Sequence, residues 1–404
     1  MNKKQVGAWA LFDFANSVYP AVMTTAVFPV FFILTVVGSE GGEGELWWGR
    51  AVSISALIVA MSSPLLGAIA DRGGARKKFM LFYTAVCLVG VAMMSTVGEG
   101  MVIKGLILFV IANVGFESAL VFYNAYLPDI APPDKQGWVS GLGFGVGYLG
   151  SALGLIIALQ FVDQIELVWF LVAGFFFLFS IPAFLILPKD EKTDMTVMQA
   201  ARWGFSSFRS IVSEVWKLKD LRNFLIAFFF YIDGVLTIIV MAGAVAIETF
   251  GFDREGTIVL FLIVQFSALI GAFALARPTD RYGPKRVLNG VVALWIVASI
   301  SVFFVQDPTL FYGLAVVAGL GLGSAQAASR AFMSKLIPDG REAELFGFYA
   351  LCGKSSSVLG PILFGTAASM AGGNQRPSFL LIAALFVIGL VLLQRVSDPT
   401  AAEA

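Results

Sequence analysis

Long apolar runs alternate with short polar breaks from one end of the chain to the other. Most runs reach the roughly 20 residues that a helix needs to cross a bilayer, at about 1.5 Å of rise per residue. The fold class that this pattern predicts is an all-α integral membrane protein. Its twelve predicted spans lie near residues 7–37, 47–70, 79–97, 101–127, 137–161, 166–187, 221–248, 257–277, 286–305, 309–336, 343–371 and 377–395.

Basic residues between the runs set the expected orientation. Of the 27 Lys and Arg residues, four fall in loops on one side, one lies within a span, and all the others belong to the opposite side or to the spans near it. The four are Arg50, Lys104, Arg254 and Arg376, and the one within a span is Lys354. Because cytoplasmic loops are enriched in Lys and Arg, both termini are predicted to be cytoplasmic, in a multi-pass protein of the plasma (inner) membrane.

The only long polar stretch, "PKDEKTDMTVMQAARWGFSSFRSIVSEVWKLKD", separates spans six and seven. Its apolar residues recur at helical spacing opposite Arg202, Arg209 and Lys217, which predicts an amphipathic helix on the inner leaflet. The alternative is a loosely ordered linker. The predicted domains are an N-terminal six-helix bundle at 1–187, this linker at 188–220 and a C-terminal six-helix bundle at 221–404.

Composition narrows the function classes. Hydrophobic residues make up 58% of the chain and charged residues only 13%, whereas a soluble domain has about a quarter charged residues. Histidine is absent, which excludes a Ser-His-Asp triad, a His-ligated metal and a histidine proton relay. Cys87 and Cys352 lie in apolar runs and are interpreted as packing residues. With no nucleotide-binding loop either, no enzyme activity, cofactor, metal or nucleic-acid partner is expected.

An internal repeat divides the chain. "DRGGARKK" after the second span matches "DRYGPKRV" after the eighth, and "YLPDI" ending span four matches "LIPDG" ending span ten at nearly the same spacing. The match predicts two six-helix halves that arose by duplication and share one orientation. The residues that it aligns are Asp71, Arg72, Arg76 and Lys77 with Asp280, Arg281, Lys285 and Arg286.

The first of these loops, from Gly67 to Lys77, resembles the G-x-x-x-D-R-x-G-R-[KR] hallmark of the major facilitator superfamily, although Ala75 shifts its basic pair slightly. The resemblance implies that the eight aligned residues form a cytoplasmic gate that latches the two halves together. The alternative is that the basic residues only set the orientation of the chain in the membrane.

Four further stretches carry a finer resemblance: "WALFDFANSVYP", "FYNAYLPDIAP", "SGLGFGVGYLG" and "LIPDGREAELFGFYALCGKSSSVLGP". They are similar to the vacuolar amino-acid effluxer family linked to autophagy, and the similarity covers essentially the whole chain. What it implies is a secondary transporter, with amino-acid efflux as the family's best-known task.

Polar side chains concentrate in particular spans. The major facilitator resemblance places helices one, four, seven and ten around a central cavity, and these helices carry most of the acids and amides, whereas spans three, six, nine and twelve have no acidic or basic residue in their interiors. For each residue singly, a helix–helix hydrogen bond is the alternative. The candidates for the substrate or proton site are Asp13, Asn16, Asn113, Glu117, Asn124, Asp233, Thr237, Gln326, Arg330 and Lys354.

The candidate residues differ in their expected depth in the bilayer. Asp13 and Arg330 lie at a similar depth near the cytoplasmic edge, so they are expected to pair at the gate, just below a kink at Pro20. Glu117, Asp233 and Lys354 lie nearer the midplane, where such transporters bind substrate. Acids outnumber bases among these five residues, and burial favours the protonated form of an excess carboxylate. Glu117 and Asp233 are therefore the leading proton-carrier candidates.

The sequence thus favours a secondary active transporter, acting as a monomer, that moves a small polar or zwitterionic solute by alternating access, with proton coupling left open. The first alternative is a drug or sugar transporter of the same fold, in which Tyr19, Tyr123, Tyr126 and Tyr231 would matter more than charge. The second is a membrane sensor that binds a ligand without moving it. Besides the substrate, the lipid bilayer and protons are the partners expected.

Overall fold

The computed structural model describes residues 1–38, 42–190, 193–356 and 359–397. Within these ranges, eleven helices are long and apolar enough to cross a membrane, which agrees with the predicted helical membrane fold. They are Lys3–Val37, Glu43–Arg72, Arg76–Thr96, Val102–Ile130, Pro133–Gln160, Ile165–Ile186, Lys219–Glu248, Glu255–Tyr282, Pro284–Phe304, Pro308–Leu336 and Arg376–Leu393.

The predicted eleventh span, 343–371, includes residues 357–358, which lie outside the described ranges. On either side of them the chain forms the helices Glu342–Ser356 and Leu359–Met370. The predicted amphipathic linker helix is present as Val197–Lys217.

Large apolar side chains cover much of the outside of these helices. Leu185 and Met370, for example, are 77% and 85% exposed. A contiguous apolar surface of this kind belongs against lipid rather than water. Since lipid offers no hydrogen bonds, each span satisfies its backbone internally as a helix.

The first span changes its helical register where the sequence predicts a kink. The α-helix Lys3–Asn16 ends before Pro20, and the chain continues as a π-helical segment, Pro20–Ala26. Proline has no N–H to donate to the preceding turn, so the register is free to change there. Beyond a short α-helical turn, Phe28–Phe31, a second π-helical segment, Phe32–Val37, completes the span.

Contacts divide the chain into two compact units, and each unit draws on both halves of the sequence. The first unit consists of Met1–Ile130, Val146–Ser206 and Asp339–Ala350. The second consists of Ala131–Gly145, Ser207–Pro338 and Leu351–Ala404. The short segment 339–350 thus joins the first unit, and 131–145 joins the second.

In the first unit, two aromatic side chains join the first span to the helix Val102–Asn124. The rings of Trp9 and Tyr123 stack with centroids 4.6 Å apart. Trp9 Nε1 donates to the carbonyl of Tyr123 at 3.0 Å, and the Tyr123 hydroxyl donates to the carbonyl of Trp9 at 3.1 Å. The buried indole N–H and the buried phenol hydroxyl thus both have hydrogen-bond partners. The two bonds fix how these helices pack against each other, which apolar contacts alone would not do.

In the second unit, Tyr231 and Trp295 perform comparable packing roles. The hydroxyls of Tyr231 and Ser329 lie 2.7 Å apart, which ties the helix Lys219–Glu248 to the helix Pro308–Leu336. Trp295 stacks on Phe386 at 5.5 Å, against the helix Arg376–Leu393.

Glycine permits a close helix contact in the first unit. A Cβ added at Gly150 would overlap the backbone carbonyl of Phe14, so the two helices touch through their backbones. Gly147 and Gly154 lie one turn to either side, against Ser17 and Val18. Small residues at one-turn spacing allow this approach in membranes, where van der Waals packing drives helix association.

We expect Gly150→Ala to lower stability by about 1–3 kcal/mol, since backbone has to move to admit the methyl group. Gly174→Ala is the matched control, because a Cβ there would meet no atom within 4 Å. Thermal unfolding of the purified variants in detergent measures the difference. Equal loss of stability in both variants would contradict the close contact at Gly150.

Candidate functional site

Asp71 holds the start of a helix that comes from the distant end of the sequence. Its buried carboxylate accepts the backbone N–H of Ala343 through Oδ1, at 3.2 Å, and that of Glu344 through Oδ2, at 2.8 Å. These residues form the first turn of the helix Glu342–Ser356. N–H groups in the first turn have no partner within their own helix, so they need an outside acceptor. The negative charge of a carboxylate at this position also interacts favourably with the helix dipole.

Arg76 gathers three carboxylates around this helix start. Its Nε donates to Asp71 at 2.7 Å, its Nη1 donates to Asp129 at 3.0 Å, and its Nη2 donates to Glu342. The planar guanidinium can meet three acceptors at once, whereas an ammonium lacks this fork geometry. Arg341 pairs with Glu344 beside the cluster. We call Asp71, Arg76, Asp129 and Glu342 the acidic gate cluster.

Glycines allow the two helices of this cluster to approach each other. A Cβ at Gly67 would overlap the carbonyl of Ala343, and one at Gly347 would crowd the carbonyl of Ser63. The chain then reverses through Gly73 and Gly74, and Gly74 adopts φ 54°, a left-handed conformation that favours glycine. The hallmark loop thus brings Asp71 and Arg76 onto the same helix start.

The repeated loop in the second unit makes the equivalent capping contact. Asp280 accepts the N–H of Gly137 through Oδ1, at 2.6 Å, and that of Trp138 through Oδ2, at 2.7 Å. These are the first residues of the helix Gln136–Gln160. Each repeat aspartate therefore caps a helix that comes from the other half of the sequence.

The other members of the two loops do not correspond as the aligned sequences suggest. Lys285, aligned with Arg76, donates to the carbonyls of Gln394 and Val396, at 3.1 and 2.7 Å. Lys77 has the comparable contact in the first unit, where its Nζ donates to the carbonyl of Leu187 at 2.8 Å. Both lysines thus bind carbonyls that follow the C-terminal end of a helix, a position that favours cations.

The remaining predicted gate residues lie outside the acidic gate cluster. The guanidinium of Arg72 lies 3.8 Å from the ring centroid of Trp203, in the helix Val197–Lys217. Arg281 lies over the ring of Tyr282 at 5.3 Å. Arg286 is exposed. Asp129 and Glu342 were not among the predicted gate residues, although both stand in stretches that carry the family resemblance.

In the first unit, the predicted interior residues form separate small groups. Asn16 donates to the carbonyl of Phe12 at 2.8 Å, and its Nδ2 lies 3.5 Å from Asp13 Oδ1. Asn113 donates to Ser55 Oγ at 2.9 Å, on the helix Glu43–Arg72. Asp13, Asn16 and Asn113 are buried, so each contact replaces lost hydration.

Glu117 and Asn124 lie on the same helix as Asn113 but are only partly buried. Glu117 lies within electrostatic range of Tyr19 and Cys87. The Tyr19 ring stacks on Phe116 at 4.5 Å, and its buried hydroxyl has no hydrogen-bond partner in the described part of the chain. This part of the first unit therefore holds a carboxylate beside an unsatisfied hydroxyl.

In the second unit, Asp233 is fully buried on the helix Lys219–Glu248. Its Oδ1 accepts the N–H of Gly360 at 3.0 Å. The hydroxyl of Thr237, one turn along, interacts with the same carboxylate, although neither Asp233 Oδ2 nor this hydroxyl makes a well-aligned hydrogen bond among the residues that the structure describes. A Cβ at Gly360 would overlap the Thr237 hydroxyl, so glycine is needed at this contact.

Arg330 is buried in the second unit and is held through its side-chain nitrogens. Its Nε donates to Ser140 Oγ at 3.0 Å, its Nη2 donates to the carbonyl of Ser140 at 2.9 Å, and its guanidinium lies 4.0 Å from the ring centroid of Phe144. Gln326, one turn away, and Lys354 are partly buried. Asp13 belongs to the first unit, and its pairing with Arg330 stays a prediction.

Proteins similar to this chain include one named as a transporter and a family described as effluxers. A family model described as "Vacuole effluxer Atg22 like" matches residues 50–137 and 133–403. An uncharacterized MFS-type transporter of Bacillus subtilis, YxiO, is 30% identical and is matched over 99% of this chain and 96% of its own length. Autophagy-related protein 22 of Coccidioides immitis is 25% identical, over 96% of this chain and 78% of its own length.

The fold is similar to that of a solved transporter. The crystal structure of the human organic anion transporter MFSD10 superposes with a TM-score of 0.78 at 14% identity, over 98% of this chain and 100% of that one. This level of identity supports the fold and not the substrate.

We expect Arg76→Lys to destabilise the protein by about 1–3 kcal/mol, since an ammonium cannot serve the three carboxylates in the same geometry. Arg286→Lys is the control, because this arginine follows the equivalent loop but is exposed. The unfolding temperature of the two purified variants measures the effect. If both variants unfolded like the unmodified protein, the acidic gate cluster would contribute little to stability.

Proposed function

The chain belongs to the Atg22-like vacuole effluxer family and is a multi-pass major facilitator transporter, and on this premise we propose that it exports a small zwitterionic solute by alternating access. Amino acids are the favoured class. The proposal draws on the name of the family and on charged groups within the second unit that complement the two ends of a zwitterion.

One observation carries the choice of substrate class: the carboxylate of Asp233 is fully buried, yet no cation acts on it among the described residues and its Oδ2 makes no well-aligned hydrogen bond there. Burying an anion without complete pairing is costly, so such a group tends to bind a cation or a proton. A substrate ammonium fits this need, and the adjacent Thr237 hydroxyl would supply a further polar contact. Asp233 is accordingly the proposed site for the amino group.

The carboxylate end of a zwitterion requires a cation, and two candidates in the second unit are Arg330 and Lys354, which lie within the predicted spans ten and eleven. Arg330 keeps its charge under all ordinary conditions and is buried, while Lys354 is partly buried. We assign the substrate carboxylate to this pair of cations, without choosing between them. The amides of Asn113, Asn124 and Gln326 are proposed to line the same pathway.

The acidic gate cluster and the Asp280 cap are proposed to form the cytoplasmic gate. Their bonds to the first N–H groups of two helices stabilise the arrangement that the structure describes. Opening the cytoplasmic side would break these bonds and expose them to water, which can replace them. With both termini in the cytoplasm and the protein in the plasma membrane, this gate faces the cell interior.

Efflux from proteoliposomes tests the substrate class. We expect vesicles containing the protein to lose a preloaded, labelled amino acid faster than protein-free vesicles and to retain labelled sugars. Each solute is measured with and without a proton gradient. Movement of sugars or lipophilic drugs without any amino acid would overturn the assignment, and binding by thermal shift without flux of any solute would indicate a sensor.

Proton coupling is proposed to reside in Asp233 or Glu117. We expect Asp233→Asn or Glu117→Gln to abolish the acceleration of transport by a pH gradient, because an amide cannot take up and release the proton. Glu166→Gln is the control, since this glutamate is exposed at the start of the helix Ile165–Ile186. If both test variants responded to the gradient as fully as the control, neither acid would be the carrier.

A further inference from the structure

A cavity of about 620 Å³ lies in the first unit, outside every residue group proposed above for substrate. It lies where the helix Arg76–Met93 begins and where the chain leaves the helix Ile165–Ile186. Its polar wall includes Lys77, Lys78, Lys189 and Asp190. Its apolar wall includes Leu81 and Phe184.

Positive charges outnumber negative charges on the polar wall of the cavity. The one carboxylate, Asp190, accepts two bonds from the backbone N–H of Lys77, at 2.8 and 3.2 Å, and Lys77 Nζ donates to the carbonyl of Leu187. Within the described part of the chain, Lys78 and Lys189 make no side-chain hydrogen bond or ion pair, and both are exposed at the cavity. The cavity therefore holds an excess of positive charge with two ammonium groups available.

The apolar wall opens toward the surface that faces lipid. Leu81 is 51% exposed, and the adjacent Phe82 and Leu185 are exposed as well. Lys77, Lys78 and Lys189 all belong to the side of the membrane that the distribution of basic residues assigns to the cytoplasm. A ligand that fits both walls combines an anionic head with an acyl chain.

We propose that this cavity binds the phosphate of an anionic phospholipid headgroup from the inner leaflet. The ammonium groups of Lys78 and Lys189 hold the phosphate oxygens, and the first acyl carbons lie along Leu81 and Phe184. A free phosphate would use the same lysines but would leave the apolar wall uncovered. The proposal is independent of the transported substrate.

Native mass spectrometry of the purified full-length protein tests the proposal with phosphatidylglycerol and phosphatidylcholine as probes. Each lysine near an anionic membrane surface contributes measurably to binding, so the Lys78→Gln/Lys189→Gln double variant should bind phosphatidylglycerol roughly tenfold or more weakly. Lys3→Gln/Lys4→Gln removes the same charge from exposed lysines outside the cavity and should bind like the unmodified protein. Lys78→Arg/Lys189→Arg should retain binding, which separates loss of charge from loss of fold.

Competition with inorganic phosphate distinguishes the two sources of the ligand. We expect millimolar phosphate to leave phosphatidylglycerol bound, because it cannot replace the contacts with the apolar wall. Displacement of the lipid by phosphate would reassign the cavity to a soluble anion. Equal phosphatidylglycerol binding by the glutamine double variant and its control, or equal binding of phosphatidylcholine, would overturn the proposal.

Discussion

Two helix N-termini need hydrogen-bond acceptors, and the charged loops that follow the second and eighth predicted spans supply them. The helices Glu342–Ser356 and Gln136–Gln160 each begin with N–H groups that have no partner in their own turn. Asp71 and Asp280 supply the missing acceptors, and each aspartate comes from the opposite half of the sequence. The neighbouring helix also approaches closely at Gly67 and at Gly141, beside the two caps. A Cβ at either position would collide with that helix, so glycine is what allows the approach.

Duplication predicts that the two loops act alike, and their backbone contacts do. Their side-chain chemistry differs. Arg76 joins Asp71 to two further acids, whereas Asp280 is held by two N–H groups, and Lys285 binds the end of a different helix.

The helical membrane fold could be predicted from the sequence because its cause is local. Each run of about 20 apolar residues has to satisfy its backbone within lipid, and only a helix does so within one segment. The break near Pro20 could be predicted for the same kind of reason, since a missing N–H is a property of that one residue.

The partners of the charged residues could not be predicted in this way. Glu342 and Asp129 lie far apart along the chain, and only the fold brings both to Arg76. The same holds for Ser140 beside Arg330 and for Gly360 beside Asp233. The sequence pattern shows which side chains are costly to bury. Their hydrogen-bond and ion-pair partners depend on how distant segments pack together.

The unequal chemistry of the two caps bears on how a cytoplasmic gate could open. When the helix Glu342–Ser356 leaves Asp71, that carboxylate keeps the Arg76 Nε as a partner, because both residues flank the same short turn. Asp280 has no arginine in that role among its described contacts, but the side chain of Lys335 lies within electrostatic range of its carboxylate. After either cap breaks, a cation therefore remains near the released carboxylate: the Arg76 guanidinium beside Asp71 and the Lys335 ammonium near Asp280. The two cations differ in kind, because a guanidinium can hold a carboxylate through a planar pair of N–H groups, whereas an ammonium acts as a compact point charge.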